Sequence, residues 1–88
     1  MILKELKLFY LPFCPYCNKA KDYLDELMKD ERYSAISIRW IHEGKEKALA
    51  DAHDYYLVPT FYDGDKKLHE GAVNKSQVRN ILDSLIKA

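Results

Sequence analysis

The 88-residue chain reads as one α/β domain, a four-stranded mixed sheet flanked by three helices in the order βαβ-α-ββ-α. Three observations predict it. The apolar run Leu6-Lys7-Leu8-Phe9-Tyr10-Leu11 has strand length, and Cys17, Ala20, Leu24, Leu27 and Met28 after it fall on one helical face. Asp63-Gly64 separates two short β runs and signals a hairpin. Val78, Ile81, Leu82 and Leu85 recur near the end at helical spacing.

The first strand is expected from Lys4 to Leu11, with Leu6, Leu8 and Tyr10 on one side and Phe9 and Leu11 on the other. Apolar surface on both sides suits a strand covered on both faces, as in parallel sheets. Pro12 ends it, and a helix over Asn18 to Lys29 follows. Asp30-Glu31-Arg32 reads as a solvated turn. Ser34 to Ile41 reads as the second strand, because Ile36, Ile38 and Trp40 alternate with Ser37 and Arg39. Strand, helix and strand in succession imply a right-handed parallel crossover. Trp40 fits core or sheet-edge packing better than a ligand platform.

Gly44 to Tyr55 predicts a second helix with a narrow stripe of Ala48, Leu49 and Ala52, and Lys45 to Lys47 on its solvated face. Within Tyr56 to Tyr62, Pro59 suits the first residue of a strand, so the third β run begins near Pro59, and Lys66 to His69 is the fourth. Asn74 or Ser76 can cap the last helix.

Composition narrows the function. At 48% hydrophobic and 32% charged residues, the chain belongs with folded globular proteins. Acids and bases balance at fourteen each, and no basic cluster is interleaved with aromatics, which argues against a nucleic-acid partner. No apolar stretch approaches membrane-spanning length, and Met1 to Lys4 runs directly into Glu5 without the core of a signal peptide. The expected setting is a monomer in the cytoplasm, where a disulfide is usually transient or catalytic.

The chemistry lies in Phe13-Cys14-Pro15-Tyr16-Cys17, which holds both cysteines of the chain at a strand-to-helix junction. Pro15 suits the first helical turn, since its fixed φ fits and its missing N–H costs nothing there. Cys14 is then at or near the N-cap, facing free backbone N–H groups and the positive end of the helix dipole. Both favour a thiolate. Cys17, one turn in, is within disulfide reach and more covered. That makes Cys14 the attacker and Cys17 the resolver. A structural zinc site would want four ligands, whereas His42, His53 and His69 lie scattered without pair spacing. Neither His42 nor His53 has an evident partner.

These residues resemble a glutaredoxin across essentially the whole chain. Cys14-Pro15-Tyr16-Cys17 is similar to that family's dithiol motif, and Val58-Pro59 to its Val-Pro. The resemblance implies a thioredoxin-like fold with no bound cofactor and glutathione as co-substrate. It also implies that Pro59 is a cis-proline and that the Val58 backbone binds substrate beside the active cysteine. Tyr16 would line the cleft, with Leu57 at the family's threonine position. Gly71, Ala72, Val73 and Asn74 would meet the γ-glutamyl end of glutathione. Three departures weaken that binding. Leu11 stands where many glutaredoxins have a cation, Leu57 replaces the threonine, and Asn74 replaces an acid. Lys19, Lys21 or Lys45 could compensate for the cation, and Glu70 for the acid.

The implied reaction is thiol–disulfide exchange on protein disulfides or glutathione mixed disulfides. Alternatives are a thioredoxin-like donor regenerated by a flavoprotein reductase, and a glutaredoxin bridging an iron–sulfur cluster. A further reading, the amino-terminal domain of a glutathione transferase, is weakened because the chain ends at Ala88 without a helical domain and lacks a Glu-Ser pair after Val58-Pro59.

Overall fold

The computed structural model describes residues 4–86, so Met1 to Leu3 and the end at Ala88 lie outside the described residues. The elements are β1 (Lys4–Tyr10), α1 (Pro15–Leu27), a 3-10 turn (Glu31–Tyr33), β2 (Ile36–His42), α2 (Lys47–Asp51), β3 (Thr60–Asp63), β4 (Lys66–Glu70) and α3 (Lys75–Ile86). The sheet order is β2-β1-β3-β4. β1 runs parallel to β2, with Lys4 opposite Ile36 and Tyr10 opposite His42, and antiparallel to β3. β3 and β4 form the expected hairpin, in which Gly64 takes φ +60° at the turn.

The two-sided character of β1 becomes two apolar layers. On one face Leu6 and Leu8 pack with Ile36 and Phe61 against Ala20, Leu24 and Leu27 of α1 and Val78, Ile81, Leu82 and Leu85 of α3. On the other, Phe9, Ile41 and Tyr62 meet Ala50 of α2, with Leu49, Tyr55 and Val58 at the margin. α3 is capped reciprocally: Asn74 Oδ1 accepts from the Gln77 N–H at 2.8 Å, and Gln77 Oε1 from the Asn74 N–H at 2.9 Å. This is the capping-box arrangement, with amides in both roles.

Several boundaries differ from expectation. β1 ends at Tyr10 rather than Leu11, whereas α1 begins at Pro15 with Cys14 as its cap, as the cysteine motif implied. The polar break is a 3-10 turn capped by Asp30, whose Oδ1 accepts from the Arg32 N–H at 3.0 Å. Its last residue, Tyr33, is buried and donates its hydroxyl proton to Asp83 on α3 at 2.6 Å. β2 starts at Ile36 because the Ser34 N–H closes that turn on the Glu31 carbonyl.

The largest correction concerns α2. Only Lys47–Asp51 is helical, and its inward residues are Ala50 and half-buried Leu49, while Ala48 and Ala52 are exposed. Glu46 gives it no side-chain cap. The chain beyond it bends so that Tyr55 Oη donates to Glu43 at 2.7 Å and Tyr62 Oη to the Asp54 carbonyl at 2.6 Å. Tertiary hydrogen bonds outweigh alanine propensity in so short a segment.

Candidate active site

Cys14 is the N-cap of α1, with extended backbone angles (φ −91°, ψ 115°) and Pro15 directly after it. Its carbonyl accepts from the Asn18 N–H at 3.0 Å, and its Sγ accepts from the Cys17 N–H at 3.2 Å. The sulfur thus takes the place of a serine or aspartate oxygen at a cap, and the first turn carries no acidic residue to oppose negative charge there. Both cysteines are free thiols. Cys14 is half-exposed and Cys17 buried. Burial, then the hydrogen bond to Cys14, push the Cys17 thiol up to about 12. At neutral pH it keeps its proton.

Facing Cys14 is the loop that leads into β3. The Val58–Pro59 peptide bond is cis, as the resemblance implied, and the Cys14 S–H points to the Val58 carbonyl at 3.8 Å. This carbonyl is fixed from both sides. After it, the Pro59 carbonyl accepts from the Gly71 N–H at 2.8 Å. Before it, the Leu57 carbonyl accepts from the Thr60 hydroxyl, while the Tyr56 and Leu57 N–H groups donate to Glu70 Oε2 at 2.6 and 2.9 Å. Gly71 has φ +94°, a left-handed backbone conformation that favours glycine, and a Cβ there would meet Leu57 Cδ1 only at ordinary contact distance, 3.4 Å.

The other expected site residues divide. Tyr16 is 56% exposed beside Cys14, and Leu57 is 61% exposed. Val73 packs at the edge of the larger core, and Ala72 is exposed with its carbonyl 3.0 Å from His69 Nε2. The Asn74 side chain faces its own helix as a cap. Glu70 does not stand open as a substitute acid. Oε2 holds the two loop N–H groups, Oε1 takes Lys67 Nζ at 2.7 Å, and the carboxyl is held at about 2, first by Lys67 and then by those N–H groups. Lys19 is exposed on α1, and Lys45 is exposed in the turn after β2.

Sequence reasoning missed other features. Phe13 and Tyr56 are 94% and 90% exposed, and with Tyr16 and Leu57 they make an apolar rim on the two segments that meet at Cys14. Trp40 stands edge-on to Tyr10, with ring centroids 5.8 Å apart. The two line a cavity of about 300 Å³ with Pro12, Cys17, Asn18 and Lys21. His42 and His53 do have partners. The His42 ring accepts from the Gly44 and Lys45 N–H groups, and His53 lies between Lys7 Nζ at 2.9 Å and the Leu49 carbonyl at 2.8 Å. Among the described residues no group of three His, Cys, Asp or Glu could hold a metal ion.

A cysteine that caps a helix, a second one turn deeper, and a cis-proline loop opposite define a dithiol protein of the thioredoxin fold. The chain belongs to the glutathione S-transferase N-terminal domain family, which it matches over residues 8–73, three quarters of its length. The match restores the reading that the chain's end and the missing Glu-Ser pair had weakened; that missing pair is a departure within the family. A probable thioredoxin of Archaeoglobus fulgidus is 29% identical over 82 residues, covering 91% of this chain and 87% of its own. A mutant thioredoxin from Halobacterium salinarum superposes with a TM-score of 0.76 at 19% identity, over 99% of this chain and 78% of its own. An uncharacterised thioredoxin-like protein from Clostridium perfringens gives a TM-score of 0.70 at 27% identity, over 96% and 71%.

Proposed function

We propose that this chain is a thiol–disulfide oxidoreductase acting on protein disulfides, with Cys14 as nucleophile and Cys17 as resolving thiol. The observation that carries it is the capping position of Cys14, its Sγ 3.2 Å from the Cys17 N–H, against the buried and protonated Cys17. The Cys14 thiolate attacks one sulfur of a substrate disulfide and forms a mixed disulfide, while the other substrate sulfur leaves as a thiolate and takes a proton from water. Cys17 then gives up its proton and attacks Cys14 Sγ. This frees the second substrate thiol and leaves a Cys14–Cys17 disulfide, so two electrons have passed to the substrate. The apolar rim of Phe13, Tyr16, Tyr56 and Leu57 supports a macromolecular substrate.

Glutathione is the reductant that Cys14-Pro15-Tyr16-Cys17 and Val58-Pro59 support, as in glutaredoxins. Two molecules would reduce the Cys14–Cys17 bond and leave as glutathione disulfide. A second reading, regeneration by a flavoprotein reductase, is favoured by a specific observation. Glu70 and Asn74, the two groups nearest to an acid for the glutathione ammonium, are engaged within the protein. The relative named a probable thioredoxin points the same way.

The deciding experiment follows reduction of a protein disulfide when the chain is recycled by glutathione with glutathione reductase, or by thioredoxin reductase. Cys14→Ser should abolish turnover in both arms, and retained turnover would defeat the proposal. A glutathione-coupled protein should equilibrate at roughly −200 to −230 mV, and a thioredoxin-like one near about −270 mV.

A further inference from the structure

The loop that presents Val58 to Cys14 has no regular secondary structure between Ala52 and Pro59, yet it must hold one carbonyl opposite one sulfur. Its restraints converge from the end of β4. Glu70 is paired with Thr60 in the β3–β4 ladder, so its backbone is fixed by the hairpin. The side chain reaches back thirteen and fourteen residues and receives two successive N–H groups, Leu57 and Tyr56, on a single oxygen. Two adjacent N–H groups converging on one oxygen form an anion-binding nest. Here the anion is supplied by the protein itself. Lys67 Nζ, 2.7 Å from the other oxygen, holds the carboxylate in place.

We infer that Glu70 is a positioning residue for the exchange reaction: by filling the Tyr56–Leu57 nest it fixes the Val58 carbonyl and the Leu57 side chain at the distance from Cys14 that substrate binding needs. It touches neither the reacting sulfurs nor Val58. Its effect passes through residues 56 and 57, while the neighbouring Gly71 N–H restrains Pro59 on the far side. Losing the carboxylate therefore frees the loop before Val58 and leaves the anchor after it. The dithiol at the start of α1 lies outside this clasp, so the chemistry of Cys14 and Cys17 persists while the substrate seat loosens.

The kinetic arm of the test rests on the proposed oxidoreductase activity; the spectroscopic arm does not. Kinetically, Glu70→Ala should raise KM for a protein disulfide about tenfold, the scale of one lost charge-assisted hydrogen bond, with kcat nearly unchanged. Sodium formate, a carboxylate small enough for the vacated nest, should restore much of the loss, and chloride at the same ionic strength should not. Glu70→Gln keeps one acceptor oxygen and should fall between wild type and Glu70→Ala. Unchanged KM in Glu70→Ala, or a loss that formate and chloride repair equally, overturns the inference.

Spectroscopically, the Tyr56 and Leu57 amide protons of the wild-type chain should shift with acid at a midpoint near 2, following Glu70. A midpoint at the ordinary carboxylate value of about 4.3 overturns the inference without reference to activity. This arm also decides the matter if Glu70→Ala does not fold. Should the amides follow Glu70 while the chain reduces no disulfide, the clasp stands and the proposed function falls.

Discussion

At Cys14 a sulfur occupies the position that an oxygen holds in most helix caps, and the cap hydrogen bond comes from the backbone N–H of its own resolving partner. The two thiols therefore differ by placement, one half-exposed at the helix start and one in the core. Iodoacetamide at neutral pH should alkylate Cys14 and spare Cys17, read by peptide mass spectrometry, because a thiol held up to about 12 offers almost no thiolate. Comparable labelling of both would contradict the assigned roles. Gly71 makes a second residue-level case. With φ +94°, Gly71→Ala should cost on the order of 1–2 kcal/mol of stability in urea unfolding, from the backbone conformation alone. The cap was legible in the sequence because Pro15 fixes where a helix can begin. The Glu70 clasp was not, because its partners lie thirteen and fourteen residues away across a loop.

Among the elements, those with a strong local signal came out close to their expected positions. The α3 stripe of Val78, Ile81, Leu82 and Leu85 is buried throughout, and Asn74 caps the helix. Asn74→Ala should cost about 1 kcal/mol, measured as a lower urea midpoint with an unchanged slope. A neutral result would mean that Ser76 or water serves as well. The elements that misled are those where tertiary contacts decide. In α2 the alanines suggested length, but hydrogen bonds from Tyr55 and Tyr62 bend the chain away after Asp51. In the polar stretch Asp30-Glu31-Arg32, charge density hid the start of a short turn that carries buried Tyr33 to Asp83.

For the whole molecule, the pH dependence of stability follows from the buried acids that hold their protons. Burial and the hydrogen bond to Cys14 raise Cys17 from 9.0 to about 12. Folding thus favours its protonated form. That stability is complete below about pH 9 and is lost as pH rises toward 12, because the unfolded chain releases the proton first. Burial, helped by Asp83 and Glu43, moves Tyr33 and Tyr55 in the same direction. The reduced protein should therefore lose thermal stability above about pH 9, and Cys17→Ala should delay the onset toward the tyrosine range. An identical alkaline profile in both proteins would remove Cys17 from the account.

The two faces of the sheet are unequally supported. α1 and α3 cover one with a continuous apolar layer, while a five-residue helix and a loop cover the other. Under native conditions the thinner side should breathe first, in the manner of a low-stability cooperative unit. Amide exchange over residues 47–55 should then run faster than over 78–85, and the wall facing the nucleophile would yield before the helix that carries it.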